Sequence, residues 1–427
     1  MDLFVAFASD HEIWGNFLTS LNKKRNYSDD VIFNNVFIQY KADIIFPIHT
    51  QPLTNHVLVL EADGTVADIL PITELDNDSI EKVSGALVPG FVNAHCHLEL
   101  SHLKSKFPEK TGLPQFLSLV TQQRNVPIEI INEAMEMAEK EMITNGIVAV
   151  GDISNNSNSF YVKAKRNLYY HTFIELIAFD PARANGAMQN GEQLLSEARG
   201  YGIHASLAPH ATYSVSPDLI KSINASCYAN GKPTSIHMLE SNDENEFYIQ
   251  ASGLYRKLYR ELGVDIKHFN PTGKTALESL LPYFNKEVPT LLVHNTIATS
   301  WDAEWAEDIH PNLFWCFCPK ANLFIEDRLP DIPMLMQHVQ YIAVGTDSLA
   351  SNHGLSILTE IQTIQHQFPE LPTSDLLRWA TQYGAKALGI NNQYGTFEKG
   401  KKPGVNVLTG ITSTQTNLAD TVISRLV

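Results

Sequence analysis

Residues 87–97 form one apolar run that ends in two histidines: Leu87-Val88-Pro89-Gly90-Phe91-Val92-Asn93-Ala94-His95-Cys96-His97. A run of this kind predicts a buried β-strand. Because residues i and i+2 of a strand lie on the same side, His95 and His97 can bind one metal ion together. The run therefore predicts a metal enzyme whose other ligands come from elsewhere in the chain.

Seven more apolar runs follow, and helical patterns separate most of them. They occupy residues 147–152, 168–176, 203–210, 234–239, 290–295, 312–318 and 341–347. Apolar strands separated by helices predict a parallel sheet of the α/β class. Eight of them predict a closed (β/α)8 TIM barrel, with the active site at the carboxyl ends of the strands.

Short strand patterns occupy the two ends of the chain. An Asp63-Gly64 turn predicts a hairpin within residues 31–81, and residues 404–409 form another strand pattern. We expect these segments to pair into a small β-sandwich. The predicted organisation is an N-terminal extension (1–28), a sandwich (29–88 and 395–427) and a barrel (89–394).

The predicted strands end in residues suited to metal binding and proton transfer. His95 and His97 end the first strand, and His237 and Asp347 lie at the ends of the fifth and eighth. A lone histidine or aspartate there is commonly structural, for example a helix cap. Together these four predict a mononuclear zinc or iron site with an open position for water.

Three further residues complete the predicted chemistry. The metal would lower the pKa of a bound water and make hydroxide available, and Asp347 could accept its proton. Glu240 is offset from His237, so we expect it to face the substrate and carry a proton to a ring nitrogen and then to the leaving group. His294, at the sixth strand end, would orient the water or polarise the attacked atom.

These motifs resemble the amidohydrolase superfamily, in the branch of the cytosine, guanine and S-adenosylhomocysteine deaminases and the triazine chlorohydrolases. The matching stretches are residues 89–97, 208–216, 237–241, 294–296, 318–322 and 345–352. The resemblance implies the same four metal ligands, Glu240 as proton shuttle and His294 as catalytic histidine. It also implies that His210 contacts substrate and, because His210 stands where many binuclear members carry a lysine, that one divalent metal is bound.

The residues after His95 and His97 narrow the resemblance to one subgroup. Residues 98–101 (Leu-Glu-Leu-Ser), 112–117 and Arg124 are similar to the aminodeoxyfutalosine deaminases of the alternative menaquinone pathway. Glu99 could pair with a purine N–H or a ribose hydroxyl, or could instead be a loop residue in a cap or surface ion pair. The chain departs from that subgroup at Thr212, where proline is common, and at Lys320-Ala321, where Arg-Ser is common.

Composition limits the partners and the location. The chain has 427 residues and a net charge of -16, which argues against nucleic acid or an anionic membrane as partner. Four cysteines do not make a disulfide framework. The N-terminus lacks the pattern of a secretory signal, and no apolar run is long enough to span a bilayer, so we expect a cytoplasmic protein.

The leading hypothesis is hydrolytic deamination of an adenine-type ring by metal-bound hydroxide, with release of ammonia and with 6-amino-6-deoxyfutalosine as a candidate substrate. The alternatives are a guanine, cytosine, adenosine or S-adenosylhomocysteine deaminase, a triazine-type chlorohydrolase and an imidazolone hydrolase. A non-catalytic scaffold is a remote alternative, because such a protein should have lost metal ligands. Analogy with the superfamily favours a homodimer.

Overall fold

The computed structural model describes residues 37–75, 79–412, 414 and 417–427. The predicted extension over residues 1–28 lies outside this part of the chain. The first strands are short and belong to the periphery: β1 (Ile38–Lys41), β2 (Ile44–Ile45), β3 (His56–Leu60), β4 (Val66–Pro71), β5 (Glu81–Lys82) and β6 (Ala86–Pro89). The hairpin predicted at Asp63-Gly64 is confirmed, since β3 pairs antiparallel with β4.

Eight central strands alternate with helices, as the sequence predicts. They are β7 (Phe91–Cys96), β8 (Ile147–Ser154), β9 (Tyr169–Leu176), β10 (His204–Pro209), β11 (Thr234–Met238), β12 (Thr290–His294), β13 (Leu313–Phe317) and β14 (Ile342–Val344). Two strands follow near the C-terminus, β15 (Val405–Thr409) and β16 (Val422–Arg425).

The helices cover the central strands. They are α1 (Leu113–Gln123), α2 (Ile128–Thr144), α3 (Phe160–Lys163), α4 (Ala184–Gly200), α5 (Pro217–Asn230), α6 (Asn242–Gln250), α7 (Leu254–Glu261), α8 (Ala276–Leu280), α9 (Ser300–Ile309), α10 (Pro319–Glu326), α11 (Ile332–Leu335), α12 (Ile357–Gln367), α13 (Thr373–Arg378) and α14 (Gly384–Ala387). A π-helical turn, Trp379–Tyr383, joins the last two. Helix α5 begins at Pro217 because the Ser216 side chain caps it by accepting a hydrogen bond from the Leu219 backbone amide.

The central strands form two parallel sheets of four, in the orders β10-β9-β8-β7 and β11-β12-β13-β14. The sheets meet at both edges through single parallel bridges, Cys96 with Asp347 and Ala211 with His237. Side chains from both sheets share one buried cluster, which includes Phe173 and Leu291. This arrangement brings the carboxyl ends of all eight strands to one face.

The apolar run of residues 87–97 is two strands rather than one. Strand β6 pairs with the C-terminal strand β15, whereas β7 belongs to the central sheet. Gly90 separates them, and a Cβ atom there would lie 2.3 Å from Val148 Cγ1 and 2.6 Å from the Pro403 carbonyl oxygen. A glycine is needed because the chain passes closely between Val148 and Pro403 at this point, which leaves no room for a side chain.

The peripheral strands form two further sheets of four, in the orders β4-β3-β1-β5 and β16-β15-β6-β2. The second sheet joins the two ends of the described chain, as expected from the sequence. Residues of both sheets, among them Leu58, Leu87 and Val407, contribute to one buried cluster. None of the helices in the described part of the chain is long and apolar enough to cross a membrane.

Candidate active site

Four side chains converge at the carboxyl face of the central strands. His95, His97, His237 and Asp347 are all buried, and each offers one ligand atom within 4.8 Å of the others. His97 Nε2 lies 3.1 Å from His95 Nε2 and 3.3 Å from His237 Nε2. Asp347 Oδ1 lies 3.6 Å from His95 Nε2 and 3.4 Å from His97 Nε2. The structure thus brings together the whole ligand set predicted from the sequence.

The separations and protonation states of these atoms fit a divalent metal. Tetrahedral zinc with bonds of about 2.0–2.1 Å to nitrogen places its ligand atoms about 3.3 Å apart. His237 Nδ1 donates to the His210 carbonyl oxygen at 2.6 Å, which leaves the Nε2 lone pair facing the cluster. Burial, reinforced by the neighbouring histidines, holds the pKa of His237 well below its usual range. The lowered pKa favours the neutral form of His237, which is the form that binds a metal ion.

Asp347 is the anionic member of the cluster. Burial alone would raise the pKa of Asp347, but its close contacts with the imidazole groups of His95, His97 and His294 outweigh burial and hold that pKa well below its usual range. Its second oxygen, Oδ2, accepts a hydrogen bond from Ser351 Oγ. Asp347 also adopts a left-handed backbone conformation, with φ of 55°. Strained backbone of this kind is concentrated at functional sites.

Glu240 and His294 face each other beside this cluster. Glu240 Oε1 lies 3.5 Å from His294 Nε2, and both side chains are buried. His294 Nδ1 donates to Asn322 Oδ1 at 2.9 Å, so its Nε2 lone pair points toward Glu240. Burial, with the nearby charge of Asp347, raises the pKa of Glu240 well above its usual range. Such a carboxyl group can hold a proton at neutral pH and release it to a substrate.

A second carboxylate positions Glu240. Glu244 accepts hydrogen bonds from the backbone amides of Leu239 (3.0 Å) and Glu240 (2.9 Å) and from Thr212 Oγ1 (2.8 Å). These contacts fix the turn after β11, where Leu239 has φ of 52°. The sequence analysis did not select Glu244 or Asn322, although Asn322 lies within one of the quoted motifs.

A cavity of about 140 Å³ opens above the ligand cluster. One face of helix α1 forms its apolar wall, through Leu113, Phe116, Leu117 and Val120. These residues follow the i, i+3, i+4, i+7 spacing that places side chains on one helix face. The polar wall is formed by Arg124, Asn155, Glu175 and His210, while Glu240 and His294 lie near the metal ligands. The cavity therefore offers a ligand one apolar wall and one polar wall.

The two predicted substrate residues lie in different environments. His210 lines the cavity, and its Nδ1 is 2.7 Å from Ser214 Oγ. Burial lowers the pKa of His210 to about 4. Glu99 is only 3 % exposed and lies behind the wall. It accepts hydrogen bonds from Arg124 Nη2 at 3.2 Å and from the backbone amide of Asn155 at 3.1 Å. The structure thus places Glu99 as a support for Arg124.

Asn155 and Glu175 are wall residues that the sequence analysis missed. Glu175 is a charged residue near the end of the apolar strand β9, and Asn155 directly follows β8. A charged residue near the end of an apolar strand was the signal available for Glu175, because barrel sites are built at those ends.

The amidohydrolase family model matches residues 86–424. The chain therefore belongs to the amidohydrolase family, as its motifs suggest. It is an enzyme, a hydrolase that acts on carbon–nitrogen bonds.

Individual relatives share both sequence and fold with this chain. An adenosine deaminase of Helicobacter pylori is 27% identical over 328 residues, which are 76% of this chain and 79% of the relative. The crystal structure of Helicobacter pylori aminofutalosine deaminase with methylthio-coformycin has a TM-score of 0.78 at 22% identity, covering 91% of this chain and 100% of that one. An adenosine deaminase from Xanthomonas campestris with bound zinc has a TM-score of 0.69 at 21% identity, covering 87% and 84%.

The ligand cluster supports the prediction that the cofactor is a divalent metal ion. The buried group of three histidines and one aspartate has the composition of a zinc site. The four cysteines are free and buried.

Proposed function

We propose that this protein is a metal-dependent hydrolytic deaminase of an adenine-type ring, with 6-amino-6-deoxyfutalosine of the menaquinone pathway as one candidate substrate. One observation carries the proposal: the buried Glu240 carboxyl group faces His294 at 3.5 Å beside the His95, His97, His237 and Asp347 cluster. The deaminase names of its relatives support it.

The proposed residues have separate roles. His95, His97, His237 and Asp347 hold one divalent ion, zinc or else iron, which when bound lowers the pKa of water toward neutrality. Asp347 accepts a proton from the attacking water. Glu240 delivers a proton to the ring nitrogen next to the carbon under attack, and then protonates the amine.

The atoms balance over these steps. The oxygen of water forms a bond to the ring carbon that bears the exocyclic amine, and the ring nitrogen gains a proton. Glu240, which has given its proton to the ring nitrogen, takes the proton of the newly formed hydroxyl group and passes it to the amine. The carbon–nitrogen bond to the amine then breaks, ammonia leaves, the ring keeps a carbonyl group, and the proton held by Asp347 returns to Glu240. His294 Nε2 accepts a hydrogen bond from the attacking water and so orients it, because Asn322 fixes the tautomer and the orientation of the imidazole ring.

A substrate panel tests the proposal. The purified protein would be supplied with zinc or ferrous ion, and ammonia release and the ultraviolet spectrum would be followed with 6-amino-6-deoxyfutalosine, adenosine, S-adenosylhomocysteine, guanine, cytosine and a chlorotriazine. We expect turnover with one or more of the first three. Turnover only of guanine, cytosine or the triazine would overturn the adenine-type assignment.

Four other expectations remain part of the proposal. The eight central strands form a closed (β/α)8 barrel over residues 89–394, and the terminal strands form a β-sandwich domain over 29–88 and 395–427. The protein is a homodimer, which light scattering would test. It acts in the cytoplasm on a small-molecule substrate.

A further inference from the structure

Two adjoining cavities lie at the amino ends of strands β9 and β10, on the face opposite the candidate active site. A cavity of about 240 Å³ is lined by residues of α4, β10 and α5, and one of about 440 Å³ by residues around α3 and β9. Ile203 and His204 line both. Because His204 begins β10 and His210 follows its end, about 20 Å of extended strand separates these cavities from the catalytic cavity.

The charged side chains that line the two cavities are all basic. Arg199 and Lys232 line the smaller cavity, and Lys163 and Arg166 line the larger one. No aspartate or glutamate lines either cavity in the part of the chain that the structure describes. The chain as a whole has 47 acidic and 31 basic residues. A wholly basic lining is therefore the opposite of what the composition of the chain would give by chance.

Three of these cations have no anionic partner among the described residues. Lys163 is fully buried and pairs with Asp152. Arg166, Arg199 and Lys232 form no ion pair and no side-chain hydrogen bond within the described chain. Arg166 and Arg199 are exposed and Lys232 is half-buried, so all three can reach a ligand in the cavities.

Two of the cations act on one histidine at the junction of the cavities. The ring of His204 stacks on Tyr169, with ring centroids 5.3 Å apart and an angle of 21° between the ring planes. Partial burial, together with the charges of Lys232 and Arg166, lowers the pKa of His204. Positive charges from separate segments therefore lie close enough together to disfavour another one. A neutral His204 keeps one ring N–H with which to donate a hydrogen bond.

The backbone leaves room for the Arg166 side chain. Gly202 has φ of 68°, and a Cβ atom there would lie 2.8 Å from Arg166 Nη2. The guanidinium group therefore lies against the turn between α4 and β10, at a residue that has no side chain. Arg166 thus extends from the segment after α3 to the edge of the cavity that His204 also lines.

Helix termini account for two of the cations singly but not for the group. Arg199 lies in the last turn of α4, and Lys232 follows Gly231, the residue that caps α5. A cation is favourable at such a position because the last carbonyl groups carry partial negative charge. This effect does not explain Arg166 or the absence of acidic side chains from the lining. A concave surface lined by unpaired cations attracts and concentrates anions.

The chemistry of these side chains selects a small anion with several charges. A guanidinium group binds phosphate through two parallel hydrogen bonds, and a lysine adds a point charge. A carboxylate carries a single charge, whereas a diphosphate group offers several charged oxygens to cations on different segments. The net charge of -16 argues against a large polyanion such as a nucleic acid.

We infer that Arg166, Arg199 and Lys232 form a second ligand site beside His204, which binds a diphosphate group, either free or as part of a nucleotide. The site is separate from the catalytic cavity and does not depend on the proposed function.

Calorimetry on the zinc-loaded full chain tests the site, with inorganic diphosphate and ADP as probes at fixed ionic strength. We expect Arg199→Gln combined with Lys232→Gln to lower the affinity for both probes by about 10- to 100-fold, the effect of losing hydrogen bonds between charged groups. Arg166→Gln alone should lower both by about tenfold. ADP binding tighter than that of inorganic diphosphate would identify the ligand as a nucleotide, and equal binding would identify it as the diphosphate group itself.

Two controls separate this site from other places where diphosphate could bind. Arg183→Gln combined with Lys267→Gln removes the same charges from exposed residues that line neither cavity, and should bind as the wild type does. His237→Ala lacks a metal ligand and should also keep the affinity, because the inferred site lies at the other end of the strands. Urea unfolding checks that each variant is folded.

Four results would overturn the inference. The first is a wild-type protein that binds neither probe at millimolar concentration. The second is wild-type affinity in the variant that lacks Arg199 and Lys232, which would leave these residues as helix-terminal charges only. The third is loss of binding in His237→Ala alone, which would place diphosphate on the metal. The fourth is an equal loss in the Arg183 and Lys267 control, which would show that only net charge matters.

Discussion

The Nδ1 atom of His237 donates a hydrogen bond to the carbonyl oxygen of His210 at 2.6 Å. This contact links strand β11 to the residue after β10, at one of the two edges where the central sheets meet. It selects the tautomer in which Nε2 of His237 has a free lone pair directed at the other ligands. The same junction of the two sheets therefore helps to prepare the metal site.

Replacing His237 should remove the metal. We expect His237→Ala to lower the affinity for zinc at least tenfold, because the site loses a ligand, and to abolish turnover. Metal analysis after gel filtration measures the first effect and ammonia release the second. His310→Ala is the matched control, since His310 is also buried but is absent from the ligand cluster. Stoichiometric zinc together with wild-type turnover in His237→Ala would refute the ligand set.

Replacing Glu240 should separate metal binding from turnover. Glu240→Gln removes the transferable proton but leaves the ligand cluster intact, so we expect full zinc content and a kcat lower by about 10²- to 10⁴-fold. Exposed Glu287→Gln controls for the loss of a carboxylate elsewhere. If Glu240→Gln turned over substrate at the wild-type rate, the proton-shuttle assignment would be wrong.

A buried ion pair supports the first metal strand. Lys163 Nζ lies 2.7 Å from Asp152 Oδ2, and both side chains are fully buried. Asp152 Oδ1 accepts a hydrogen bond from the amide of Leu98, directly after His97, at 2.8 Å. We expect Lys163→Met to lower the free energy of unfolding by about 3–5 kcal/mol, because Asp152 then stays buried without its partner.

A double variant tests whether the uncompensated charge of Asp152 causes the loss of stability in Lys163→Met. Asp152→Asn combined with Lys163→Met removes both charges and leaves an oxygen for the Leu98 amide, so it should be more stable than Lys163→Met alone. Urea unfolding measures all three proteins. A double variant as unstable as Lys163→Met would show that the loss comes from packing and not from the uncompensated charge.

Glu360 should make stability depend on pH. Burial raises the pKa of Glu360 to about 8, against opposing hydrogen bonds from the Lys320 amide and Asn352. The unfolded chain releases this proton near pH 4.5 and the folded chain near pH 8, so the unfolded state binds fewer protons between these values. The free energy of unfolding therefore falls as pH rises through that window.

Glu360→Gln removes this titration. The unfolding free energy of the wild type minus that of the variant should decrease steadily from pH 5.5 to pH 8. Urea unfolding at several pH values measures the difference, and other titrating groups cancel in it. A difference that does not change with pH would contradict the assigned pKa.

The strand-end histidines, Glu240 and Asp347 could be selected from the sequence because their role depends on local pattern. Each follows an apolar strand, and parallel strands bring their carboxyl ends to one face. Local strand patterns also predicted that the two ends of the chain pair. The local pattern could not divide the run at residues 87–97, because Val148 and Pro403, the residues that leave no room for a side chain at Gly90, are distant from it in sequence.

The sequence by itself determined the residue types of the metal site and the order of the strands. Both depend on hydrophobic periodicity and residue chemistry within short contiguous segments. Only the tertiary structure decided which polar residues reach the cavity. Glu99 follows His97 closely but lies behind Arg124, whereas Glu175 comes from an apolar strand and lines the cavity. The physical reason is that the exposure of a side chain to the cavity depends on how distant segments pack together. Arg124, after α1, and Asn155, after β8, are examples of such segments.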